Sequence, residues 1–379
     1  MARLYGGPVR LADAQGFETG SPRTSVRRVS LLVRPPSAPP TAILKTFATD
    51  PESGRRFSSE RTALQLLRSS SAGSVAASLL AFGSDPRFLV LEDLGDGASL
   101  ADHLLGDDPT AAAVALHRYG RAMAQLHAGT LGRRADYIEL RGPTYDLIGA
   151  DDLESVLPSA AREIGEAFGR VGVLIPSETE GEVTGVVSRI LEPVGLMALV
   201  QGDACPDNSI GVGQTMRLID FEFAGMRHLG LDAASFRMSF PTCWCASRIP
   251  DDVRRAAEAT YRSELSRVLP ALEDDRVFFG LLADAGAARL LYMLATRLEG
   301  ALDETPMRGD TAKGRTVARR RLIWWLTAFG ALAEEAHSLP TLRTAALRAG
   351  QELERRWAMR YEALPRYPAF PGGTPWPQV

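Results

Sequence analysis

A two-lobed α+β chain, with a small β-rich lobe followed by a larger, mainly helical lobe, is the fold class this sequence predicts. Three observations predict it. Up to about residue 94, short apolar runs alternate with Gly-, Pro- and Ser-rich turns. Beyond residue 95, nearly every segment repeats its apolar residues at helical spacing. One strand–turn–strand stretch, residues 199–223, interrupts those helices.

The elements follow in order. "SVRRVSLLV" (25–33) and "TAILKTF" (41–47) are β-branched, apolar runs that predict two strands joined by the Pro-rich loop "RPPSAPP". In "GRRFSSERTALQLLRS", Phe57, Ala63, Leu64 and Leu67 fall on one helical face, with Ser58 or Ser59 as the cap. "FLVLEDLG" (88–95) predicts a strand running into a polar break. Next come a short helix, "SLADHLLG", and a long Ala-rich helix over 110–129 that ends at glycine. Helical patterns recur over 150–195 and in four long stretches from residue 251 to residue 364. The last residues, "PRYPAFPGGTPWPQV", read as coil. The predicted organisation is therefore residues 1–94, 95–364 and a Pro-rich tail at 365–379.

Composition narrows the function classes. Net charge is −3 and the charged fraction is 23%, so the chain lacks the basic excess of a nucleic-acid binder. The apolar run "LIWWLTAFGALA" is shorter than a membrane span, and no partner membrane is expected. Three cysteines, Cys205, Cys243 and Cys245, make no disulfide framework; buried thiols and a reducing, cytoplasmic setting are the expectation. The five histidines show no metal-ligand spacing. Only two lysines, Lys45 and Lys313, occur among 43 basic residues. A lysine that survives such a bias within an apolar strand suggests a place where a compact ammonium fits and a guanidinium fork does not.

The chemistry concentrates in "QGDACPDN" (201–208) and "LIDFE" (218–222). Asp203 stands five residues before Asn208, and Asn208 twelve before Asp220. Short strands over 209–213 and 216–219 would form a hairpin that brings Asn208 and Asp220 to one end, with Asp203 on the loop before it. Two carboxylates and an amide oxygen form a hard-oxygen set suited to Mg²⁺ with phosphate oxygens. One carboxylate can then stay off the metal and take a proton from an attacking hydroxyl. Upstream, Lys45 and Glu60 are placed to pair between a strand and a helix, and the turn at Gly20-Ser21 could close over phosphates with backbone amides.

This order of parts, with strand-Lys, helix-Glu, "LVLEDLG", Gly-Asp-x-x-x-x-Asn and Asp-Phe-Glu, resembles the protein-kinase-like fold. Its flavour is similar to the aminoglycoside phosphotransferase and choline kinase-like branch, over roughly residues 17 to 335. The resemblance implies a kinase of a small-molecule hydroxyl that uses ATP or GTP and Mg²⁺. Asp203 would be the base; Asn208 and Asp220 would hold the metal, with Glu222 a further helper. Lys45 would contact the α/β-phosphates and pair with Glu60, backbone groups around Glu92, Asp93 and Leu94 would hold the base edge, and Asp232 in "GLDAASF" would support the loop. The chain departs from the family pattern at Gln201, where a histidine is usual, and in its single-glycine phosphate turn. Those departures motivate the alternative of a weakly catalytic pseudokinase that binds nucleotide or a partner.

Between Asp146 and Glu192, ten acidic residues face three basic ones. Helices before the catalytic loop help build the acceptor site in the resembling family. An acidic wall there would favour a cationic acceptor such as an aminoglycoside or amino-alcohol; a solvated acidic helix pair is the other reading.

Overall fold

The computed structural model describes residues 10–16, 24–33, 38–142, 152–303, 312–358 and 364–373. The N-terminal part is a five-stranded antiparallel sheet of β1 (Arg10–Gly16), β2 (Thr24–Val33), β3 (Thr41–Phe47), β4 (Leu79–Ser84) and β5 (Arg87–Glu92), in the order β1-β2-β3-β5-β4. The helix α1 (Pro51–Arg68) leaves β3 by way of Asp50, whose carboxylate caps the Ser53 N–H. Strands β2, β3 and β5 agree with the sequence expectation. Two strands, β1 and β4, were not expected, because "RLADAQG" and "LLAFGS" lack a β-branched, alternating pattern. They form because neighbouring strands offer edges to pair with.

After the linker at Asp93–Ala98, whose residues are not in a regular element, the chain is mainly helical. The helix α2 (Leu100–Leu105) opens with a capping box of Ser99 and Asp102. The helix α3 (Pro109–Thr130) crosses the middle of the molecule, burying Leu116, Tyr119, Met123 and Leu126. Each such side chain contributes about 1.5–3 kcal/mol by leaving water. Contrary to expectation, Gly129 does not end α3. The helix passes through it, and a Cβ there would stand 2.6 Å from the Ala72 Cβ, so this glycine serves close packing.

The helices α4 (Arg134–Arg141), α5 (Leu153–Arg162), α6 (Ile164–Arg170) and α7 (Glu178–Leu191) precede the segment that carries Asp203, Asn208 and Asp220. That segment comprises β6 (Met197–Val200), a turn of 3₁₀ helix at Pro206–Asn208, then β7 (Ser209–Val212), β8 (Thr215–Leu218) and β9 (Gly225–His228). Strands β7 and β8 form the expected hairpin, and β6 pairs antiparallel with β9. The helices α8 (Gly230–Arg237), α9 (Asp251–Leu265), α10 (Asp275–Leu302), α11 (Ala312–Glu335) and α12 (Pro340–Trp357) complete the fold. The helix α10 is long and apolar enough to cross a membrane, yet its apolar side chains are used in packing against α8, α11 and the α5–α7 group. This is the bilobal arrangement of a small antiparallel sheet and a larger helical part that the sequence predicts.

Candidate active site

The loop between β6 and β7 is held from below by one buried carboxylate. Asp232, on α8, accepts the Gln201 N–H at 2.7 Å and the Gly202 N–H at 3.3 Å. Gln201 is fully buried, and its side-chain amide donates to the carbonyls of Ile219 (2.6 Å) and Asn208 (3.3 Å). It therefore ties the loop to the chain just before Asp220. Gly202 has φ +84°, and a Cβ would lie 2.3 Å from the Phe223 carbonyl oxygen. Both facts demand glycine. Gly202→Ala is expected to cost about 1–3 kcal/mol from backbone strain alone and to displace Asp203. Urea unfolding with a midpoint equal to wild type would contradict this.

Lys45 is the charged centre of the site. Buried within β3, its ammonium stands 2.7 Å from Glu60 Oε2, 2.6 Å from Asp220 Oδ1 and 3.5 Å from Glu222 Oε2. Burial alone would favour the neutral amine, but three carboxylates outweigh it and hold the group charged. Glu60 is pushed up to about 7, mainly by burial, against the opposing pull of Lys45. Glu222 is engaged on its other side by Arg56 at 2.5 Å. Asp220 has φ +59°, the left-handed region that Asp tolerates better than most residues, and this turn aims its carboxylate at Lys45. Such a conformation recurs at functional sites.

Asp203 and Asn208 meet across the loop. The Asn208 Nδ2 donates to the Asp203 carbonyl (3.1 Å) and to its Oδ2 (3.2 Å). That orientation leaves the Asn208 amide oxygen free to act as a ligand. Burial first, then the nearby charges of Asp220 and Asp207, push the Asp203 carboxyl up to about 6. A carboxylate in that range is a stronger base than an ordinary one and is still ionised at neutral pH.

This pair marks the border between two cavities. One, of about 410 Å³, is lined by Lys45, Glu60, Asn208 and Asp220, by the segment Glu92, Asp93 and Leu94, and by the apolar side chains of Val26, Ile43, Leu91, Ile210 and Ile219. It has the dimensions and the apolar walls for a flat heterocycle with a charged end at Lys45. The other, of about 550 Å³, is lined by Gly202, Asp203, Phe223, Arg289 and Tyr292. Asn208 and Asp220 supply hard oxygens on the cleft side, so these residues fit Mg²⁺ held between them and phosphate oxygens.

The structure thus brings Lys45, Glu60, Asp203, Asn208 and Asp220 together. Glu92, Asp93 and Leu94 line the same cleft, but the two carboxylates are occupied elsewhere. Glu92 accepts from Ser78 and Arg217, and Asp93 from Arg28 (2.8 Å) and the Gly95 N–H (3.0 Å). Gly20 and Ser21 lie outside the described residues. Arg56 and Arg289 were not foreseen, since neither sits in a motif. The one available signal for Arg289 was a charge inside the apolar run "ADAGAARLLYMLA".

Two further features depart from or refine the sequence reading. The cysteines are not three thiols: Cys205, within the loop between β6 and β7, is bonded to Cys243, and only Cys245 is free. The partners are 38 residues apart, and their pairing depends on the stretch after α8 folding back onto the loop, which C-x-C spacing does not reveal. Burial pushes the Cys245 thiol up to about 12. His228, on β9, accepts the Gly230 N–H on Nδ1 at 3.1 Å, and burial pushes its pKa down to about 4 from 6.5. Between those values the unfolded chain takes up a proton that the folded one refuses. The contribution of neutral His228 is therefore complete above 6.5 and is lost as pH falls toward 4, by up to about 3 kcal/mol. The stability difference between wild type and His228→Asn, read by urea unfolding, is expected to shrink over that interval. A difference that stays constant with pH would contradict the assignment.

The acidic stretch before the loop behaves differently from a wall. Among the described acidic residues of that stretch, Asp152 alone lines the larger cavity. Glu154 pairs with Arg227, and Glu182 caps the start of α12 through the Thr341 and Leu342 N–H groups.

No family model and no curated protein matches the chain. Among solved structures it is similar to a choline kinase from Cryptosporidium parvum Iowa II, at 14% identity over 90% of this chain and 93% of that one, with a TM-score of 0.48. It is similar to an ethanolamine kinase from Plasmodium vivax at 14% identity, 88% and 83% coverage and a TM-score of 0.47. It is also similar to an ADP-bound aminoglycoside phosphotransferase at 11% identity, 82% and 92% coverage and a TM-score of 0.48.

Proposed function

We propose that the chain is a Mg²⁺-dependent phosphotransferase that moves the γ-phosphoryl group of ATP or GTP to a hydroxyl of a small molecule. The observation that carries this reading is the Asp203–Asn208 pair, standing between a cleft with a charged lysine and a second cavity of acceptor size. In the cleft, Lys45 would hold the α/β-phosphates, released in part from Asp220 as Asp220 and Asn208 engage the metal. Bound Mg²⁺ would neutralise phosphate charge. In the second cavity the acceptor hydroxyl would lie against the Asp203 carboxylate, which takes its proton as the new O–P bond forms and the β,γ-bridging O–P bond breaks, releasing the nucleoside diphosphate. The protein's share of the work is alignment and charge stabilisation, the main sources of rate in phosphoryl transfer.

Gln201 supports activity over a silent nucleotide binder, because its two side-chain hydrogen bonds hold the loop where a histidine would otherwise be expected to hold it. The test is ADP formation from Mg·ATP, and GDP formation from Mg·GTP, with and without a panel of hydroxyl compounds. An acceptor that raises nucleoside diphosphate release above the acceptor-free rate supports the reading. Nucleotide binding with no acceptor-dependent release across the panel would leave the binding-module alternative as the better account.

A further inference from the structure

Among the described residues, the larger cavity has one arginine that no ion pair holds, although Asp232, Asp203 and Glu154 act on it at longer range. Four arginines line it: Arg55, Arg56, Arg227 and Arg289. Three are paired, Arg55 and Arg56 with Glu52, Arg56 also with Glu222, and Arg227 with Glu154 and Asp152. Arg289 makes no ion pair among the described residues. Its Nη2 donates to the Leu231 carbonyl at 3.3 Å, while its Nε is buried with no hydrogen-bond partner. The residue is only 9% exposed, in the middle of α10. A guanidinium does not shed its proton to escape burial. An unpaired buried charge is costly, and a site that keeps one is built for a counter-charge that arrives from outside. The planar fork matches a carboxylate or a phosphate. The cavity's other carboxylates do not answer this need. Glu52 and Asp152 are held by their own arginines, and Asp203 faces the reacting hydroxyl in the proposed function.

We infer that the acceptor is an anionic hydroxyl compound whose carboxylate or phosphate binds Arg289 in the cavity beside Asp203. This inference rests on the phosphotransferase reading for the word acceptor, but anion binding at Arg289 stands without it. It also opposes the cationic acceptor that the acidic stretch suggested. A cavity of about 550 Å³ accommodates a compound of sugar size or larger. Arg289 is a specificity-determining residue here, since it fixes one end of the acceptor while Asp203 meets the other.

The test uses sugars of similar size and different charge: D-glucuronate and glucose 6-phosphate, D-glucose, and D-glucosamine. Binding is measured by calorimetry on the full chain with Mg·AMP-PNP present, and transfer is measured with Mg·ATP. The anionic sugars are expected to bind at least about tenfold tighter than glucose or glucosamine. Arg289→Gln should erase that preference through KM while leaving the KM for Mg·ATP unchanged, and Arg289→Lys should keep part of it. Anion binding that depends on Arg289 without transfer upholds this inference and contradicts the phosphotransferase reading. Transfer to glucose or glucosamine in preference to the anionic sugars upholds that reading and overturns the inference. Failure of every anionic sugar to bind at millimolar concentration, or binding unchanged in Arg289→Gln, also overturns it.

Discussion

Asp203→Asn is expected to reduce phosphoryl transfer by about 10²–10⁴-fold, the usual contribution of a positioned general base, while Mg·ATP affinity stays close to that of wild type. The separation follows from where the residue stands. Asp203 lines the larger cavity, not the cleft that holds Lys45, Asn208 and Asp220. The Asn208 amide still donates to the backbone carbonyl of residue 203, and the side-chain oxygen of an asparagine there can accept its other hydrogen bond, so the loop keeps its path, with Gln201 and Asp232 holding it from the other side. What is lost is the charge that receives the proton. Steady-state turnover together with calorimetric nucleotide binding checks both halves. Equal loss of both would mean the substitution has disturbed the cleft, and unaltered turnover would remove Asp203 from the mechanism.

Lys45→Met has the larger effect on the fold. The ammonium neutralises Glu60 and Asp220 at ion-pair distance and approaches Glu222 at 3.5 Å. Methionine preserves much of the volume but leaves the buried Glu60 carboxyl beside two other acids. Breaking a buried pair by removing one partner costs about 3–5 kcal/mol, and transfer should be lost as well. Adding Glu60→Gln should recover part of the stability, because the stranded charge is then gone, but none of the transfer. Denaturant midpoints for the two single variants and the double variant give the coupling between the residues. Simple additivity would show that the pair seen in the structure contributes no interaction energy.

Much of this site is legible in the sequence because its parts lie in short, ordered motifs. Asp203, Asn208 and Asp220 are related by one loop and one hairpin, so their meeting depends only on local chain geometry. Lys45 stood out through rarity, and Glu60 through its position one helix later. The illegible features are those set by contacts across the molecule. The Arg56–Glu222 pair joins residues 166 apart, and Arg289 reaches the cavity from the middle of a late helix. The Cys205–Cys243 bond depends on how the chain after α8 returns to the loop. The strands β1 and β4 follow the same logic, since pairing with a neighbour overrides a weak local pattern. The acidic stretch was legible as a composition but not as a direction, because charge counts do not say which helix face meets the cavity.

In the proposed reaction Asp203 directs the γ-phosphoryl group onto an acceptor hydroxyl. Phosphorus NMR of the full chain with Mg·ATP and an acceptor tests it most directly. In the wild-type protein the γ-phosphate signal is expected to be replaced by that of a phosphomonoester, and in Asp203→Asn this is not expected at a comparable rate. Release of inorganic phosphate alone, or equal phosphomonoester formation by both proteins, would contradict it.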